Sequence, residues 1–217
     1  MQKALKGLIW MLLLSVTATA QTPRGVTLLH YALDSFTAGT VLLKNGTTTP
    51  AVLNYNTLTG EMIFVTNGKY LALAVPQDVD TVFIAQRRFV PVANKFCEWL
   101  GGTQPALFKE YTCTVKDPGT NAGFGKTNTT AATSLNTLVR SGGAYELSLP
   151  ADFELLPATA YYLRSKGKFY KLANAQAASK AIPAKKAVIE EWLKTHPSKF
   201  STQEEVVQFV QAIQEKN

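Results

Sequence analysis

The chain has 217 residues, 46% of them hydrophobic, and its 22 Lys and Arg residues outnumber its 15 Asp and Glu residues. This length and apolar fraction are typical of one globular domain, or of one domain with a small appendage. The chain has two Cys and two His residues, and no histidine lies near either cysteine, a pattern that argues against a zinc site.

The first twenty residues are predicted to be a secretory signal peptide. Lys3 and Lys6 precede a short apolar run from Leu8 to Val16, and the small residues Ala18–Ala20 follow it. This order is typical of signal peptides, with cleavage expected before Gln21. The apolar run is too short for a membrane-spanning helix, which needs about 20 residues, and no longer apolar run follows. We therefore expect an exported protein, periplasmic or extracellular.

Residues 21–116 are predicted to form an antiparallel β domain. Short runs rich in β-branched and aromatic residues, such as AVLNY, MIFV, YLALAV and TVFIA, alternate with turn signals. Asn45-Gly46 and Asn67-Gly68 are strong hairpin signals, because both residue types tolerate the positive φ of a type I′ turn. No helical crossover interrupts the strands, which argues against a parallel sheet. The prediction is an antiparallel meander arranged as a sandwich or a partly open barrel.

The rest of the chain is predicted to close this domain. Residues 117–143 are rich in Gly, Thr and Asn and are expected to form a long loop. Residues 144–217 contain closing strands, one hairpin turning near Lys166-Gly167, and then two amphipathic helices, AKKAVIEEWLK and QEEVVQFVQAIQEK. Ser201 and Glu204 have the spacing of a capping box for the second helix. The fold class is therefore mainly β, of the α+β type, with C-terminal helices.

Several of these segments also carry a resemblance. GTVLLKNGTT, VLNYNTLTGEMIFV, YYLRSKGKFYKL, PAKKAVIEEWLK and FSTQEEVVQFVQAI resemble a set of uncharacterised secreted proteins from bacteria of the Bacteroidota kind. The resemblance covers most of the chain after residue 20 and rests on the order of strands and turns. It implies the β-rich architecture and a bacterial envelope setting. The family has no assigned activity, so the resemblance implies no catalytic residues.

Both cysteines fall in predicted strands. Cys97 shares one face of its strand with Trp99, and Cys113 shares one face of the next strand with Tyr111. If the apolar faces of these strands lie together, both sulphurs point to the same side of the sheet. Secretion favours a disulfide, which needs Cα atoms within about 7 Å, so the register decides between a Cys97–Cys113 disulfide and two buried thiols. A catalytic thiol would need a base nearby, usually His.

Two pairs of carboxylates lie at predicted strand ends, Asp78 with Asp80 and Asp152 with Glu154. Paired carboxylates cleave glycosidic bonds when they lie about 5 to 10 Å apart on either side of the sugar. A secreted hydrolase acting on polysaccharide is therefore the alternative function. The simpler interpretation is that these side chains are solvated at turns and strand ends.

Basic side chains concentrate after residue 160, where ten basic residues stand against five acidic ones. Lysines interleaved with aromatic residues indicate a candidate surface for an anionic envelope polymer, namely Lys166, Lys168, Lys171, Lys185 and Lys186. We predict a non-catalytic binding or scaffolding protein of the bacterial envelope or exterior, with envelope polysaccharide or another envelope protein as its partner. No cofactor and no nucleic-acid partner are predicted.

Overall fold

Twelve strands are present in the described part of the chain. The computed structural model describes residues 28, 30–74, 76–116, 120–122, 125–127, 145 and 154–215. The strands are β1 (Thr37–Leu43), β2 (Thr48–Asn56), β3 (Glu61–Thr66), β4 (Lys69–Ala72), β5 (Val79–Ile84), β6 (Arg87–Val92), β7 (Lys95–Gly101), β8 (Ala106–Lys116), β9 (Thr120–Ala122), β10 (Gly125–Thr127), β11 (Glu154–Ser165) and β12 (Lys168–Lys171).

Ten of these strands form one antiparallel sheet in the order β12-β11-β8-β7-β6-β5-β1-β2-β3-β4. The prediction of a mainly antiparallel β fold with C-terminal helices is confirmed, and the sheet is open rather than closed. The sheet consists of two meanders, because β5 pairs with β1 instead of continuing from β4. β9 and β10 form a separate two-stranded sheet inside the segment 117–143 that was predicted to be a loop. The predicted signal peptide and most of that loop lie outside the described residues.

The two predicted Asn-Gly turns connect β1 to β2 and β3 to β4. In the β3–β4 turn Asn67 and Gly68 have φ values of 49° and 72°, which are the left-handed conformations that a type I′ turn requires. In the β1–β2 turn Gly46 has a φ of 87°, and the Asn45 side chain accepts a hydrogen bond of 2.9 Å from the Thr47 amide. These turns set the register that places alternate residues on the two faces of the sheet.

One face of the sheet, here called the inner face, carries the largest apolar core. Its buried residues in β1 to β7 are Val41, Leu53, Tyr55, Met62, Val79, Val82, Ile84, Phe89 and Phe96. The sheet coils so that the β2–β3 turn approaches β7, where the Phe96 amide donates to the Gly60 carbonyl at 3.3 Å. The Tyr55 hydroxyl donates to the Tyr111 carbonyl of β8 at 3.3 Å. This end of the inner face is therefore covered by the coiling of the sheet itself.

The other end of the inner face is covered by helices. These are α1 (Ala178–Ala181), α2 (Lys186–Thr195) and α3 (Gln203–Glu215). Ile189 of α2 and Phe209 of α3 pack in one cluster with Leu107 of β8 and Leu163 of β11, as the apolar periodicity of the helices predicts. Two hydrogen bonds tie α3 to β8 and the turn before it, Lys109 Nζ to Gln203 Oε1 at 2.7 Å and Gln214 Nε2 to the Pro105 carbonyl at 2.6 Å.

The N-terminus of α3 is capped one residue later than the sequence suggested. The Thr202 hydroxyl accepts a hydrogen bond of 3.2 Å from the Glu205 amide, and the Glu205 carboxylate accepts one of 2.6 Å from the Ser201 amide. The predicted pairing of Ser201 with Glu204 is therefore wrong by one position. The physical purpose is the same, since both bonds satisfy backbone N–H groups at a helix end.

The opposite face of the sheet, here called the outer face, is partly covered by the N-terminal segment. Leu28, Tyr31 and Phe36 pack on Ile63 of β3. The Tyr31 ring lies edge-on to Phe36, with centroids 5.2 Å apart. Among the described residues, this segment covers the outer face of β2 to β4 and does not extend over the outer face of β5, β6, β7, β8, β11 and β12.

Of the two alternatives for the cysteines, the structure has two buried thiols and no Cys97–Cys113 disulfide. The expectation that both sulphurs point to the same side is wrong, because the two side chains lie on opposite faces of the sheet. Trp99 of β7 lies opposite Phe108 of β8, so Cys97 shares the outer face with both aromatic residues. By strand alternation Cys113 lies on the inner face. Both thiols are free and buried.

The register explains this error. Glu98 of β7 lies opposite Lys109 of β8, and a bulge at Leu100 shifts the pairing so that Gly101 lies opposite Leu107. The apolar face of β8 therefore meets the face of β7 that carries Phe96 and Glu98. The expectation that Cys97 and Trp99 share a side of the sheet with Cys113 is therefore wrong, because Phe96 and Glu98 occupy that side of β7.

We expect both thiols to be free in the folded protein and slow to react. Burial raises the pKa of Cys97 to about 12, and Glu110 acts in the same direction. Burial also raises the pKa of Cys113. Since the thiolate is the nucleophile, iodoacetamide at pH 8 should leave the folded protein unlabelled, whereas unfolding without reductant should allow both thiols to be alkylated. A mass spectrum that shows a disulfide-linked peptide pair would contradict this result.

Candidate functional site

A groove with a cavity volume of about 520 Å³ lies on the outer face and is lined by residues of β5, β6, β7, β8, β11 and β12. Three basic residues (Lys44, Arg88 and Arg164) and three aromatic residues (Trp99, Phe108 and Phe169) line it. Among the described lining residues, Asp80 is the only acidic one. The groove is therefore a positively charged surface with aromatic walls.

Arg88 and Trp99 form one end of this surface. The Arg88 guanidinium lies over the Trp99 ring, 4.6 Å from its centroid, and 5.4 Å from the centroid of Phe83. The indole Nε1 of Trp99 donates to the Gly102 carbonyl at 3.1 Å, which fixes the plane of the ring. Arg88 is exposed, so the aromatic rings orient its guanidinium while its donors face solvent.

Arg164 lies at the other end. Its guanidinium is 5.2 Å from the Phe108 centroid and 6.0 Å from the Phe169 centroid. Phe108 is buried, and the Phe169 ring meets it edge-on at 5.1 Å. Within the described residues, no carboxylate lies within salt-bridge distance of Arg164 or Arg88. Both guanidinium groups are therefore held by aromatic rings and keep donors for an anion.

The neighbouring Arg87 shows the contrast. It lies on the inner face, where its Nε donates to Glu98 Oε1 at 2.8 Å, its Nη2 to Glu98 Oε2 at 3.0 Å and its Nη1 to the Ala32 carbonyl at 3.1 Å. The Tyr111 hydroxyl also donates to Glu98 Oε2. Two consecutive arginines thus have different functions, since Arg87 completes a structural network and Arg88 faces the groove.

The two buried glutamates of β7 and β8 are ionised and lie apart. Burial alone would raise the pKa of Glu98, but the hydrogen bonds from Arg87 and Tyr111 hold that pKa below its ordinary value. Burial would likewise raise the pKa of Glu110, but hydrogen bonds from Lys95 and Tyr162 lower it. Lys95 Nζ lies 2.7 Å from Glu110 Oε1. Because Glu98 lies opposite Lys109, Glu98 and Glu110 project from opposite faces.

The first carboxylate pair that favoured a hydrolase, Asp78 with Asp80, lies at the start of β5. Asp78 ends a 3₁₀ turn before β5, and its carbonyl accepts from the Lys44 amide at 2.9 Å. Asp80 accepts a hydrogen bond from the Thr81 hydroxyl at 2.8 Å. Asp152 and the side chain of Glu154 lie outside the described residues. In the part of the chain that is described, the groove thus contains one carboxylate rather than the two that glycoside hydrolysis uses.

The five lysines predicted to bind an anionic polymer are not gathered on one surface. Lys166 is in the β11–β12 turn, and Lys168 and Lys171 lie on opposite faces of β12, with Lys171 on the outer face opposite Tyr162. Lys185 precedes α2, and Lys186 begins it. Lys186 Nζ lies 3.8 Å from a carboxylate of the same helix. Lys171 is the member that lies on the groove's side of β12.

Comparisons with protein-family models, with curated proteins and with solved structures find no match to this chain. In the described residues, none of the helices has both the length and the apolar character that a membrane crossing requires. The same part of the chain contains no group of three His, Cys, Asp or Glu side chains that could hold a metal ion.

Proposed function

We propose that this is an exported, non-catalytic binding protein of the bacterial envelope or exterior, and that it holds an acidic polysaccharide in the outer-face groove. The observation that carries the proposal is that the guanidinium groups of Arg88 and Arg164 both lie over aromatic rings. Among the described residues, no carboxylate lies within salt-bridge distance of either group. Support for export comes from the apolar N-terminal sequence with its basic start.

The groove offers complementary groups to both the charged part and the apolar part of an acidic sugar. A planar guanidinium binds a carboxylate through two parallel hydrogen bonds, which gives the contact orientation as well as charge. The negatively charged face of an aromatic ring attracts the C–H groups on the apolar side of a pyranose. Trp99, whose indole plane is fixed by its bond to Gly102 and whose ring is covered on one side by Arg88, supplies its remaining exposed surface next to that arginine. A sugar ring in contact with this surface would place its acidic group beside the arginine.

The proposal is tested by calorimetric titration with polygalacturonic acid as the acidic polymer and dextran as the neutral one. Replacing both arginines, Arg88→Gln with Arg164→Gln, is expected to weaken binding of polygalacturonic acid by about 100-fold, because each charge-assisted contact contributes roughly one tenfold factor. Dextran is expected to bind far more weakly than the acidic polymer to the unaltered protein.

The matched control removes the same charge away from the groove, as Lys166→Gln with Lys186→Gln. Both lysines are exposed, and this variant is expected to keep its affinity. An equal loss in the control would show that binding depends on net charge alone and would overturn the proposal. Tighter binding of single-stranded DNA than of polygalacturonic acid would also overturn it, since stacked arginines and aromatic rings serve nucleic acid as well.

A further inference from the structure

The outer face carries a row of cationic and aromatic side chains that crosses six strands. Phe83 of β5 lies opposite Arg88 of β6, and Trp99 of β7 lies opposite Phe108 of β8. Phe108 lies opposite Tyr162 of β11, which lies opposite Lys171 of β12. Arg88 joins the two parts of the row through its contact with Trp99 at 4.6 Å. These six residues, Phe83, Arg88, Trp99, Phe108, Tyr162 and Lys171, are here called the outer ladder.

The outer ladder has a defined direction and length. Its members follow one another from strand to strand, so it runs perpendicular to the strands. Neighbouring strands are about 4.8 Å apart, so its five steps span about 24 Å. The groove accounts for the middle of this row, since Phe83, Tyr162 and Lys171 are not among its lining residues. A ligand that used the whole row would be an extended chain rather than a single sugar.

Positive charge repeats along the ladder. Arg88 supplies it near one end, the Arg164 guanidinium supplies it beside Phe108, and Lys171 supplies it at the other end. The ionised Glu110 lies on the same face, where it accepts a hydrogen bond of 2.8 Å from the Tyr162 hydroxyl and is stabilised by the charge of Lys171. Arg164 belongs to β11, and its guanidinium lies between Phe108 of β8 and Phe169 of β12, so the three cations project from β6, β11 and β12. Trp99 lies between Arg88 and Phe108 along the row. A linear chain that carries acidic groups and apolar sugar faces would meet both cations and aromatic surface as it crosses the strands.

We propose that the ligand is a linear acidic polysaccharide that lies across the strands from Phe83 to Lys171 and contacts the solvent-accessible members of the outer ladder, passing over the buried Phe108. This inference rests on the proposed function and specifies its ligand. Affinity therefore depends on chain length up to about 24 Å and levels off beyond it. Lys171 contributes to the binding of long chains and does not contribute to the binding of a disaccharide held at Arg88 and Trp99.

The test is a titration with size-defined oligogalacturonates from the disaccharide to the decasaccharide. The expected result is an affinity that rises with each added sugar until the chain covers the ladder. Lys171→Gln is expected to weaken the binding of the decasaccharide by about tenfold, the loss of one charge-assisted contact, and to leave the disaccharide unaffected. Lys168→Gln is the matched control, because Lys168 is exposed on the opposite face of the same short strand.

The outcomes separate the two proposals. If the disaccharide binds as tightly as the decasaccharide and binding still requires Arg88 and Arg164, the ladder is wrong and the proposed function stands. If Lys168→Gln and Lys171→Gln weaken binding equally, the chain does not follow the outer face and the ladder is again wrong. If no oligogalacturonate or polygalacturonic acid binds, both proposals fail.

Discussion

Replacing Glu98 with alanine is expected to lower the free energy of unfolding by about 3 kcal/mol, because it leaves Arg87 without its partner in a largely buried position. The side chains of Arg87 and Glu98 are 23% and 11% exposed. Urea denaturation followed by tryptophan fluorescence measures the loss. The control is Lys186→Ala, which breaks the surface ion pair of Lys186 with Glu190. These two side chains are 69% and 62% exposed, so this variant is expected to leave stability unchanged.

The pH dependence of the free energy of unfolding separates the contribution of the Glu98 charge from that of its packing. The folded-state pKa of Glu98 lies below the ordinary value of 4.5, so its contribution to stability is present above that value and is lost as the pH falls through the folded pKa. Glu98→Gln should therefore show a shallower loss of stability in acid than the unaltered protein. A loss of less than about 1 kcal/mol in Glu98→Ala would show that the network does not stabilise the fold.

Replacing Phe209 with alanine is expected to lower the free energy of unfolding by about 3 to 5 kcal/mol, the usual loss for a buried phenylalanine. Phe209 is 0% exposed and meets the Trp192 ring edge-on at 5.6 Å and the Phe200 ring at 5.3 Å. Its loss opens a cavity between α3, α2 and the sheet. Chemical denaturation followed by circular dichroism measures the change.

The control for Phe209 is Gln211→Ala on the same helix. Gln211 is exposed, and alanine is at least as favourable in a helix as glutamine, so no loss is expected. A Phe209→Ala variant with nearly unchanged stability would show that α3 does not close the core over β8 and β11. The proposed polysaccharide binding is expected to be retained by a folded but destabilised Phe209→Ala variant, because the helices lie on the inner face and the groove on the outer face.

The strands were predictable because local chemistry determines them. Asn67-Gly68 marks its turn by residue type, and the run MIFV lies in β3 as expected. The turn between β5 and β6 gave no such signal, since Ala85 and Gln86 adopt φ values of 46° and 67° without glycine or asparagine. The pairing of β5 with β1 joins distant segments, and no local pattern specifies such a contact.

The candidate site was missed for a related reason. A single arginine in a strand, such as Arg88, has the pattern of ordinary solvated alternation, and its meaning depends on the neighbours that register supplies from other strands. Trp99 and Phe108 become its neighbours only through the pairing of β6 with β7 and of β7 with β8. Strand alternation in the sequence places Arg88 and Val90 on the same face of β6. It does not show which residues of the neighbouring strand lie beside them.

The bulge at Leu100 has a consequence for how this chain can change without losing its fold. It adds one extra residue at the end of β7, next to the turn that leads to β8. Because the bulge lies at the strand end, it does not change which side chains of β8 lie on each face of the sheet. A one-residue insertion in the middle of β7 or β8 would exchange inner-face positions for outer-face ones along the rest of that strand. We therefore expect the fold to tolerate insertions in the connections between strands, whereas residues of the outer face can be substituted without a change of register.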